Sequence, residues 1–154
     1  MDEDKLLKEI NDLMGLVKTN KLETRELRRS DWDTLVSWWK WWRWPIMPRD
    51  FLPEDGTGGL MVEKNNIPII AGFLYETNSN VLILEWIVSN PKYKEQDRKK
   101  AVELLIEEVE NKAEELGYKY MFSIGRSKHL IDTHEKLGWK VDKKSSHEIT
   151  KKLK

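Results

Sequence analysis

The chain has 154 residues, a length that suits one domain built around a single hydrophobic core. Its 27 basic residues balance its 27 acidic ones, so no overall charge favours nucleic acid or an anionic membrane as a partner. The absence of cysteine excludes disulfides, thiol nucleophiles and thiolate metal ligands. The three histidines do not follow a zinc-binding spacing, and we expect no metal site.

The N-terminal stretch predicts an amphipathic helix from about Glu3 to Lys18. Its apolar side chains recur at helical spacing: Leu6, Leu7, Ile10, Leu13, Met14 and Val17. The acidic start differs from a signal peptide and no apolar stretch is long enough to span a bilayer, so we expect a cytoplasmic protein without a membrane partner. We predict a single domain over 1–154, with an accessory helix over 1–20 that either docks on the main part, 22–153, or contacts a second copy in a homodimer.

A strand from Leu22 to Leu27 and then a helix are predicted next, because Ser30 and Asp33 have the spacing of a capping box. The stretch "SWWKWWRWP" within this helix contains five of the eight tryptophans. Helical spacing places these side chains on a core face, Leu35, Trp38, Trp39 and Trp42, and on a second face, Trp41 and Trp44. Packing in the core does not account for the second face, formed by Trp41 and Trp44.

The rest of the chain predicts a mixed sheet with two further helices. A long Pro-rich loop precedes three antiparallel strands, "GLMVEK", "IPIIAGFLYET" and "VLILEWIVS". An apolar stripe predicts a helix from Glu95 to Leu116, which crosses over to a second central strand, "YKYMFSI", parallel to the third. Ser127 and Gly138 bound a short helix, and "WKVDKKSSHEITKKL" predicts two edge strands joined near Ser145.

This order of elements, from about Leu22 to Leu153, resembles the GNAT superfamily of N-acyltransferases. The segment "IVSNPKYKEQDRKKAVELLIEEVENKAEELGYKYMF" is similar to that family's acyl-CoA motif, and "SKHLIDTHEKLGWKV" is similar to its "NxxAxxLYEKLGF" segment. The pattern also resembles compact GNAT-like proteins encoded by bacteriophages. The resemblance implies an α/β GNAT fold with a central mixed, mostly antiparallel sheet flanked by helices, an extra N-terminal helix, and acetyl-CoA as cosubstrate.

By this resemblance, the turn before the long helix would hold the pyrophosphate of the cosubstrate on its backbone N–H groups and on the helix dipole. The turn consists of Lys94, Glu95, Gln96, Asp97, Arg98 and Lys99. The family places glycines where this chain has Asp97 and Lys99, and an alternative register starting at Gln96 lengthens the turn by two residues. Asp97 would repel an anion unless it faces away, whereas the basic side chains would attract one. The alternative interpretation is that these basic residues only form the solvent-exposed start of a helix and bind no anion.

The resemblance also assigns the thioester site and the two proton-transfer groups. Backbone groups of Ile87, Val88 and Ser89 would bind the pantetheine arm where the two parallel strands separate. Glu85 is the candidate general base, with a solvent-facing or salt-bridged carboxylate as the alternative. His134 stands where the family has its general-acid tyrosine, with a half-exposed histidine without a catalytic task as the alternative. Ser127 would contact the pantetheine or only cap its helix.

The acceptor pocket is predicted from the second tryptophan face and the loop that follows it. By resemblance its residues are Trp41, Trp44, Met47, Arg49 and Phe51. A nucleic-acid stacking platform would use the same aromatics with Lys40 and Arg43, but the acidic flanks of this segment disfavour it.

The function that these residues predict is transfer of an acetyl or similar group from acetyl-CoA to a primary amine on a small molecule or protein. The alternative is a catalytically degenerate GNAT-fold protein that binds a partner through its tryptophan-rich face. The missing turn glycines motivate that alternative.

Overall fold

The computed structural model describes residues 2–13 and 20–154, and it divides into two compact units, Met1–Ile124 and Gly125–Lys154. The first unit contains the whole sheet, and the second contains a short helix and the C-terminal segment. The predicted division into an accessory helix and one domain stays a prediction.

The first unit is built on a five-stranded sheet in which the strands lie side by side in chain order. The strands are β1, Leu22–Glu26; β2, Gly59–Lys64; β3, Ile67–Tyr75; β4, Val81–Ser89; and β5, Tyr120–Ser123. The first four are antiparallel neighbours, and β5 is parallel to β4. The predicted meander and the parallel crossover are therefore confirmed.

The described residues form the α-helices α1, Glu3–Leu13; α2, Trp32–Trp41; α3, Arg98–Glu115; and α4, Lys128–Lys136. The predicted first helix continued to Lys18, and its residues 14–19, including Met14 and Val17, lie outside the described residues. On α1 the apolar side chains Leu6, Leu7 and Ile10 are exposed. The predicted limits of α4 are confirmed, since Ser127 caps its first turn and Gly138 follows its end with a φ of 95°.

The predicted C-terminal hairpin is wrong. Residues 139–154 contain no strand, and β5, predicted to be central, is an edge strand of the described sheet. Ile149 and Leu153 are 93% and 85% exposed. The segment has scattered apolar side chains among six lysines, so it lacks the continuous apolar face that a strand must bury against its sheet.

The start and the end of α2 also differ from the prediction. Ser30 and Asp33 do not form a capping box; a 3-10 turn, Arg29–Asp31, precedes the helix, and the Asp31 carboxylate accepts the Arg28 amide at 2.9 Å. The helix ends at Trp41, because Arg43 has a φ of 59° and the Trp44 amide turns back to the Trp39 carbonyl at 2.9 Å. Trp44 therefore lies beyond the helix and does not share a helical face with Trp41.

The two faces of the sheet bury different helices. One face and α2 share a buried cluster, with members Leu27, Leu35, Trp38, Trp39, Leu52, Met61, Ala71, Phe73, Trp86 and Val88. The predicted core position of Trp38 is confirmed, and Trp42 is partly buried against the cluster. The other face packs on α3, whose side chains Ala101, Leu105, Ile106 and Val109 are fully buried. Of the predicted α3 stripe, Leu105, Ile106, Val109 and Ala113 are buried, whereas Val102 is half-buried and Leu116, beyond the end of the helix, is exposed.

Candidate functional site

A β-bulge in β4 is the first feature of the candidate site. Ala71 pairs with Val88 but Phe73 pairs with Glu85, so Trp86 and Ile87 together oppose the single residue Gly72. Trp86 has a φ of 56°, a left-handed conformation that is unusual for a bulky residue. A side-chain Cβ at Gly72 would lie 2.9 Å from Leu84 Cδ1, so a glycine lets the bulged strand approach here.

The parallel pair opens next to this bulge. The last β4–β5 partners are Leu84 and Ser123, and β4 continues for five residues beyond them, to Ser89, alongside β3 alone. The Asn90 amide donates to the Ile69 carbonyl at 2.7 Å, so by alternation the backbone groups of Ser89 point away from β3. The predicted pantetheine residues Ile87, Val88 and Ser89 thus lie on a strand segment with an open edge.

The carboxylate of Glu85 lies on the α2 side of the sheet. Glu85 is directly opposite Phe73, a member of the cluster under α2, and cross-strand partners share a face. The residue is only 8% exposed, and its Oε1 accepts the Trp86 amide at 2.9 Å. The alternative of a solvent-facing carboxylate is therefore excluded for Glu85. A buried carboxylate beside an open strand edge is a suitable location for a general base.

A hydrogen-bonded chain connects the bulge to the predicted acceptor loop. The indole Nε1–H of Trp86 donates to Tyr75 Oη at 2.9 Å, and the Tyr75 hydroxyl donates to the Phe51 carbonyl at 3.0 Å. The Phe51 and Trp86 rings also meet edge to face, with centroids 5.9 Å apart. Burial raises the pKa of Tyr75, so the phenol stays a donor at neutral pH. Phe51 is consequently held against Trp86, the residue that follows Glu85 in the chain.

The other predicted residues of the acceptor pocket differ in their exposure and in their contacts. Trp41 is 57% exposed, and its ring meets Trp42 edge to face at 4.7 Å. Trp44 and Met47 are partly buried against the cluster under α2. The Arg49 guanidinium lies 4.8 Å above the Trp32 ring, a cation–π contact. Trp41 is thus the tryptophan of this segment whose ring is most available to an outside molecule.

The predicted phosphate turn carries its aspartate in a defined position. The Asp97 carboxylate accepts hydrogen bonds from Lys64 Nζ at 2.9 Å and from the Tyr93 hydroxyl at 2.6 Å. The hydrogen bond from Lys64, which has the larger effect, and the one from Tyr93 together hold the pKa of Asp97 below its ordinary value. The remaining turn side chains are largely solvated: Lys94, Glu95, Gln96 and Lys99 are exposed, and Arg98 is half-buried. Arg98 approaches the Ser89 hydroxyl at 3.5 Å.

The second unit contains the other two predicted site residues. His134 is 5% exposed, so the alternative of a half-exposed histidine is wrong. Its Nδ1 lies 2.8 Å from the Leu130 carbonyl, which requires a proton on Nδ1, and its ring meets Trp139 edge to face at 4.7 Å. Ser127 Oγ accepts the Leu130 amide at 3.2 Å as the cap of α4. Capping is the observed role of Ser127, and pantetheine contact stays a prediction.

The described ranges, 2–13 and 20–154, lack two other kinds of feature. Within them no three acidic or histidine side chains are grouped so as to hold a metal ion. Nor does any helix there combine the length and apolar character that crossing a membrane requires.

The mixed five-stranded sheet flanked by helices is the GNAT acyltransferase fold. The fold matches a Thermus thermophilus protein with a TM-score of 0.63 at 13% identity, over 86% of this chain and 99% of that one. It matches an aminoglycoside acetyltransferase from an uncultured soil metagenomic sample with a TM-score of 0.60 at 14% identity, over 88% and 99% of the two chains. A predicted acetyltransferase with acetyl-CoA, from Clostridium acetobutylicum, matches with a TM-score of 0.59 at 14% identity, over 84% and 96%.

No family model and no curated protein matches the sequence. The structural neighbours therefore establish the fold, and they include acetyltransferases and structures that contain CoA or acetyl-CoA.

Sequence reasoning missed the contacts of four side chains that shape this region: Trp42, whose indole donates to the Ser89 carbonyl, and Tyr75, Tyr93 and Lys64. Each acts through a contact with a residue distant in the chain or on a neighbouring turn. Tyr93 had a local signal, since it precedes Asp97 by four residues, which is a spacing that brings side chains together in helices and turns.

Proposed function

We propose that the chain is an N-acyltransferase that transfers an acetyl or similar acyl group from acyl-CoA to a primary amine. The observation that carries the proposal is the position of Glu85, a buried carboxylate on the α2 side of the sheet, beside the point where β4 and β5 separate. The GNAT fold and the neighbours with bound acetyl-CoA support the choice of cosubstrate. The acceptor is an amine on a small molecule or a protein.

The residues of the first unit fit an acyl-CoA. The β4 edge from Ile87 to Ser89 would meet the amides of a pantetheine arm with backbone groups such as the Ser89 amide, as a strand added to a sheet would use them; the Ser89 carbonyl already accepts the Trp42 indole. At the start of α3 the amides of Lys99 and Lys100 precede the first helical hydrogen bond, from the Ala101 amide to the Asp97 carbonyl. Such amides suit a pyrophosphate, and Lys94, Arg98 and Lys99 add positive charge.

Acetyl-CoA would supply an activated thioester whose C–S bond breaks as the amine nitrogen bonds to the carbonyl carbon. The chain must then take one proton from the amine and give one to the departing thiolate. Glu85 is our candidate for the first task. His134 is our candidate for the second: Nδ1–H is held by the Leu130 carbonyl, and in the imidazolium form Nε2 would carry the transferable proton, leaving the neutral ring after transfer.

Trp41, Trp44, Met47, Arg49 and Phe51 would shape the acceptor site. Trp41 offers an exposed ring, and Phe51 is tied to β4 through Tyr75 and Trp86.

The test is thiol release from acetyl-CoA in the presence of a panel of primary amines. The chain has no cysteine, so a thiol reagent would report only the released CoA. Glu85→Gln keeps an oxygen that can accept the Trp86 amide but removes the base, and we expect kcat to fall by about a hundredfold or more. Glu114→Gln, an exposed substitution on α3, is the matched control and should leave kcat unchanged. Failure to bind acetyl-CoA or CoA at millimolar concentration in calorimetry would sink the proposal.

The second candidate function is partner binding by a degenerate enzyme, which the exposure of Trp41, Ile46 and Phe51 favours. This candidate predicts that Trp41→Ala abolishes self-association or capture of a partner while the fold stays intact. If Trp41 instead lines the acceptor site of an active enzyme, Trp41→Ala should raise the KM for the amine. Sedimentation velocity and steady-state kinetics on the same variant separate the two.

A further inference from the structure

The phosphate turn contains a carboxylate where an anion-binding turn would be expected to exclude one. Asp97 is the residue immediately before α3, and aspartate at that position ordinarily caps the amides of the first helical turn. Here the Asp97 side chain makes no such cap. Both of its carboxylate oxygens are used elsewhere, Oδ2 by Lys64 and Oδ1 by Tyr93.

We propose that Lys64 and Tyr93 are positioning residues that hold the Asp97 carboxylate off the amides of α3 and neutralise its charge, so that a turn without glycines can bind the anionic cosubstrate. We call these three residues the Asp97 clamp. The inference rests on the proposed function, because it concerns the same turn. It assigns roles to Lys64 and Tyr93, which lie outside the predicted phosphate turn.

The two partners of Asp97 are themselves firmly placed. Lys64 is the last residue of β2, and its backbone is paired with Leu22 of β1 and Ile67 of β3. Tyr93 is 8% exposed, and its amide donates to the Asn90 carbonyl at 3.2 Å. The Asn90 side chain in turn donates to the Pro68 carbonyl at 2.9 Å. The clamp is therefore anchored on the sheet rather than on the turn that it holds.

The geometry of the first turn shows what the clamp leaves available. The Arg98 amide donates to the Glu95 carbonyl at 3.2 Å, and the Ala101 amide donates to the Asp97 carbonyl at 3.0 Å. The amides of Lys99 and Lys100 lie between these two and have no helical carbonyl to meet. A capping aspartate would compete with an incoming phosphate for these same amides. Held by Lys64 and Tyr93, Asp97 does not compete.

The protonation states support the same arrangement over the neutral range. Burial, the hydrogen bond to Asp97 and the nearby negative charges raise the pKa of Tyr93 to about 12. Its hydroxyl therefore remains a donor to Asp97. Lys64 carries the positive charge that balances the carboxylate, so the turn as a whole presents the charge of its other basic residues to a ligand.

The experiment measures binding of CoA, and of inorganic pyrophosphate as a minimal anionic probe, by calorimetry on the full chain. Lys64→Met frees Oδ2 of Asp97 and removes the positive charge that balances the carboxylate, and we expect the Kd for both probes to rise by about tenfold. Adding Asp97→Ala removes the competitor, and the double variant should return to within about threefold of wild type. Lys64→Arg keeps the charge and should bind normally. Lys112→Met, which breaks a surface contact with Glu26, is the matched control.

The rescue by Asp97→Ala separates positioning from simple structural support. If Lys64 only stabilised the fold, the double variant would bind as weakly as Lys64→Met or more weakly, and that result would overturn the proposal. An unchanged Kd in Lys64→Met would overturn it as well.

Amide hydrogen exchange in the unliganded protein gives a readout that does not depend on CoA. In Lys64→Met the released Oδ2 of Asp97 should cap the Lys99 or Lys100 amide and slow its exchange, and adding Asp97→Ala should restore fast exchange. Faster exchange in Lys64→Met, or no change, contradicts the clamp. If the wild-type chain binds neither probe, the proposed function fails, while these exchange rates still decide whether the clamp exists.

Discussion

The indole Nε1–H of Trp42 donates a hydrogen bond of 2.9 Å to the carbonyl oxygen of Ser89. The bond joins the C-terminal end of α2 to the part of β4 that extends beyond its last β5 partner. Trp41, which is predicted to line the pocket for the acceptor amine, is adjacent to Trp42 in the chain. Ser89 belongs to the predicted pantetheine segment. The two predicted halves of the site are therefore mechanically linked through one side chain.

Replacing Trp42 with phenylalanine tests the strength of this link. Trp42→Phe keeps an aromatic ring but leaves the Ser89 carbonyl without its indole donor, and we expect the free energy of unfolding to fall by about 1 kcal/mol. Urea denaturation measures the change. Trp41→Phe is the control, because its exposed ring makes a change within about 0.5 kcal/mol the expected result. Equal losses in the two variants would show that the Ser89 bond contributes nothing.

Tyr75→Phe should loosen the predicted acceptor loop. The substitution removes the acceptor of the Trp86 indole and the donor to the Phe51 carbonyl, so Phe51 loses its polar connection to β4. We expect the KM for the amine to rise by about threefold to tenfold with a smaller change in kcat, since the loop shapes binding rather than proton transfer. Steady-state kinetics at saturating acetyl-CoA measures both. Tyr120→Phe, an exposed residue of β5, provides the matched control. A fall in kcat at constant KM would contradict this role.

Arg43→Gly should stabilise the protein. Arg43 is exposed and occupies the left-handed position after α2, with a φ of 59°, where glycine avoids the steric cost of a Cβ. We expect a gain of about 0.5–1 kcal/mol, seen as a higher urea midpoint at an unchanged slope. Arg43→Ala removes the same side chain without relieving the backbone, so it should show no such gain. A gain of the same size in both variants would point to charge instead of conformation.

The pair of Arg25 and Asp31 predicts acid sensitivity of the first unit. Arg25 donates to both Asp31 carboxylate oxygens at 2.8 Å. Burial by itself raises the pKa of Asp31, but hydrogen bonds from Arg25 and from the Arg28 amide outweigh it and hold the pKa below the ordinary 3.8. The contribution of this ion pair to the free energy of unfolding is therefore fully present above the ordinary pKa of 3.8. It is lost as the pH falls through the lower pKa that Asp31 has in the folded state.

Asp31→Asn should therefore lower the free energy of unfolding by about 2 kcal/mol at pH 7. The difference from wild type should shrink as the pH falls below about 4, because the wild-type carboxyl then becomes neutral as well. Chemical denaturation across this pH range measures the effect. Asp55→Asn, which affects an exposed contact with Arg29 at 3.9 Å, should change stability by less than about 0.5 kcal/mol at any pH. A pH-independent difference for Asp31→Asn would refute the electrostatic explanation.

Elements with strong local signals were predicted closely. The bounds of β2 and β4 match the predicted strands, because turn residues flank continuous apolar runs on both sides. The limits of α4 follow equally local chemistry, a serine cap and a glycine stop. The end of α2 was predicted wrongly, because helical spacing of the tryptophans continues to Trp44. The helix ends earlier, and the residue in the left-handed conformation after it is Arg43 instead of the glycine that would have marked the end.

The candidate site was less predictable because its determinants are contacts between distant segments. The bulge at Trp86 has no glycine within β4 to mark it; its partner, Gly72, lies on another strand. The repulsion expected from Asp97 is resolved by Lys64, which is 33 residues away in the chain. Burial of Glu85 follows from its partner Phe73 and not from the alternation of β4 itself.

The extra residue in β4 inverts which residues face each side along the strand. Before the bulge the even-numbered Leu84 faces α3, whereas after it the odd-numbered Ile87 does so and Val88 joins the α2 side. Deleting a residue of β4 before the bulge would move every residue on one side of the deletion to the opposite face, whereas deleting Trp86 would restore regular alternation with Glu85, Ile87 and Val88 on their present faces. A single-codon deletion in β4 outside the bulge should consequently be far more damaging than one in the Asn65–Asn66 turn, and in comparisons of distant homologues any gap within this strand should fall at Trp86 or Ile87.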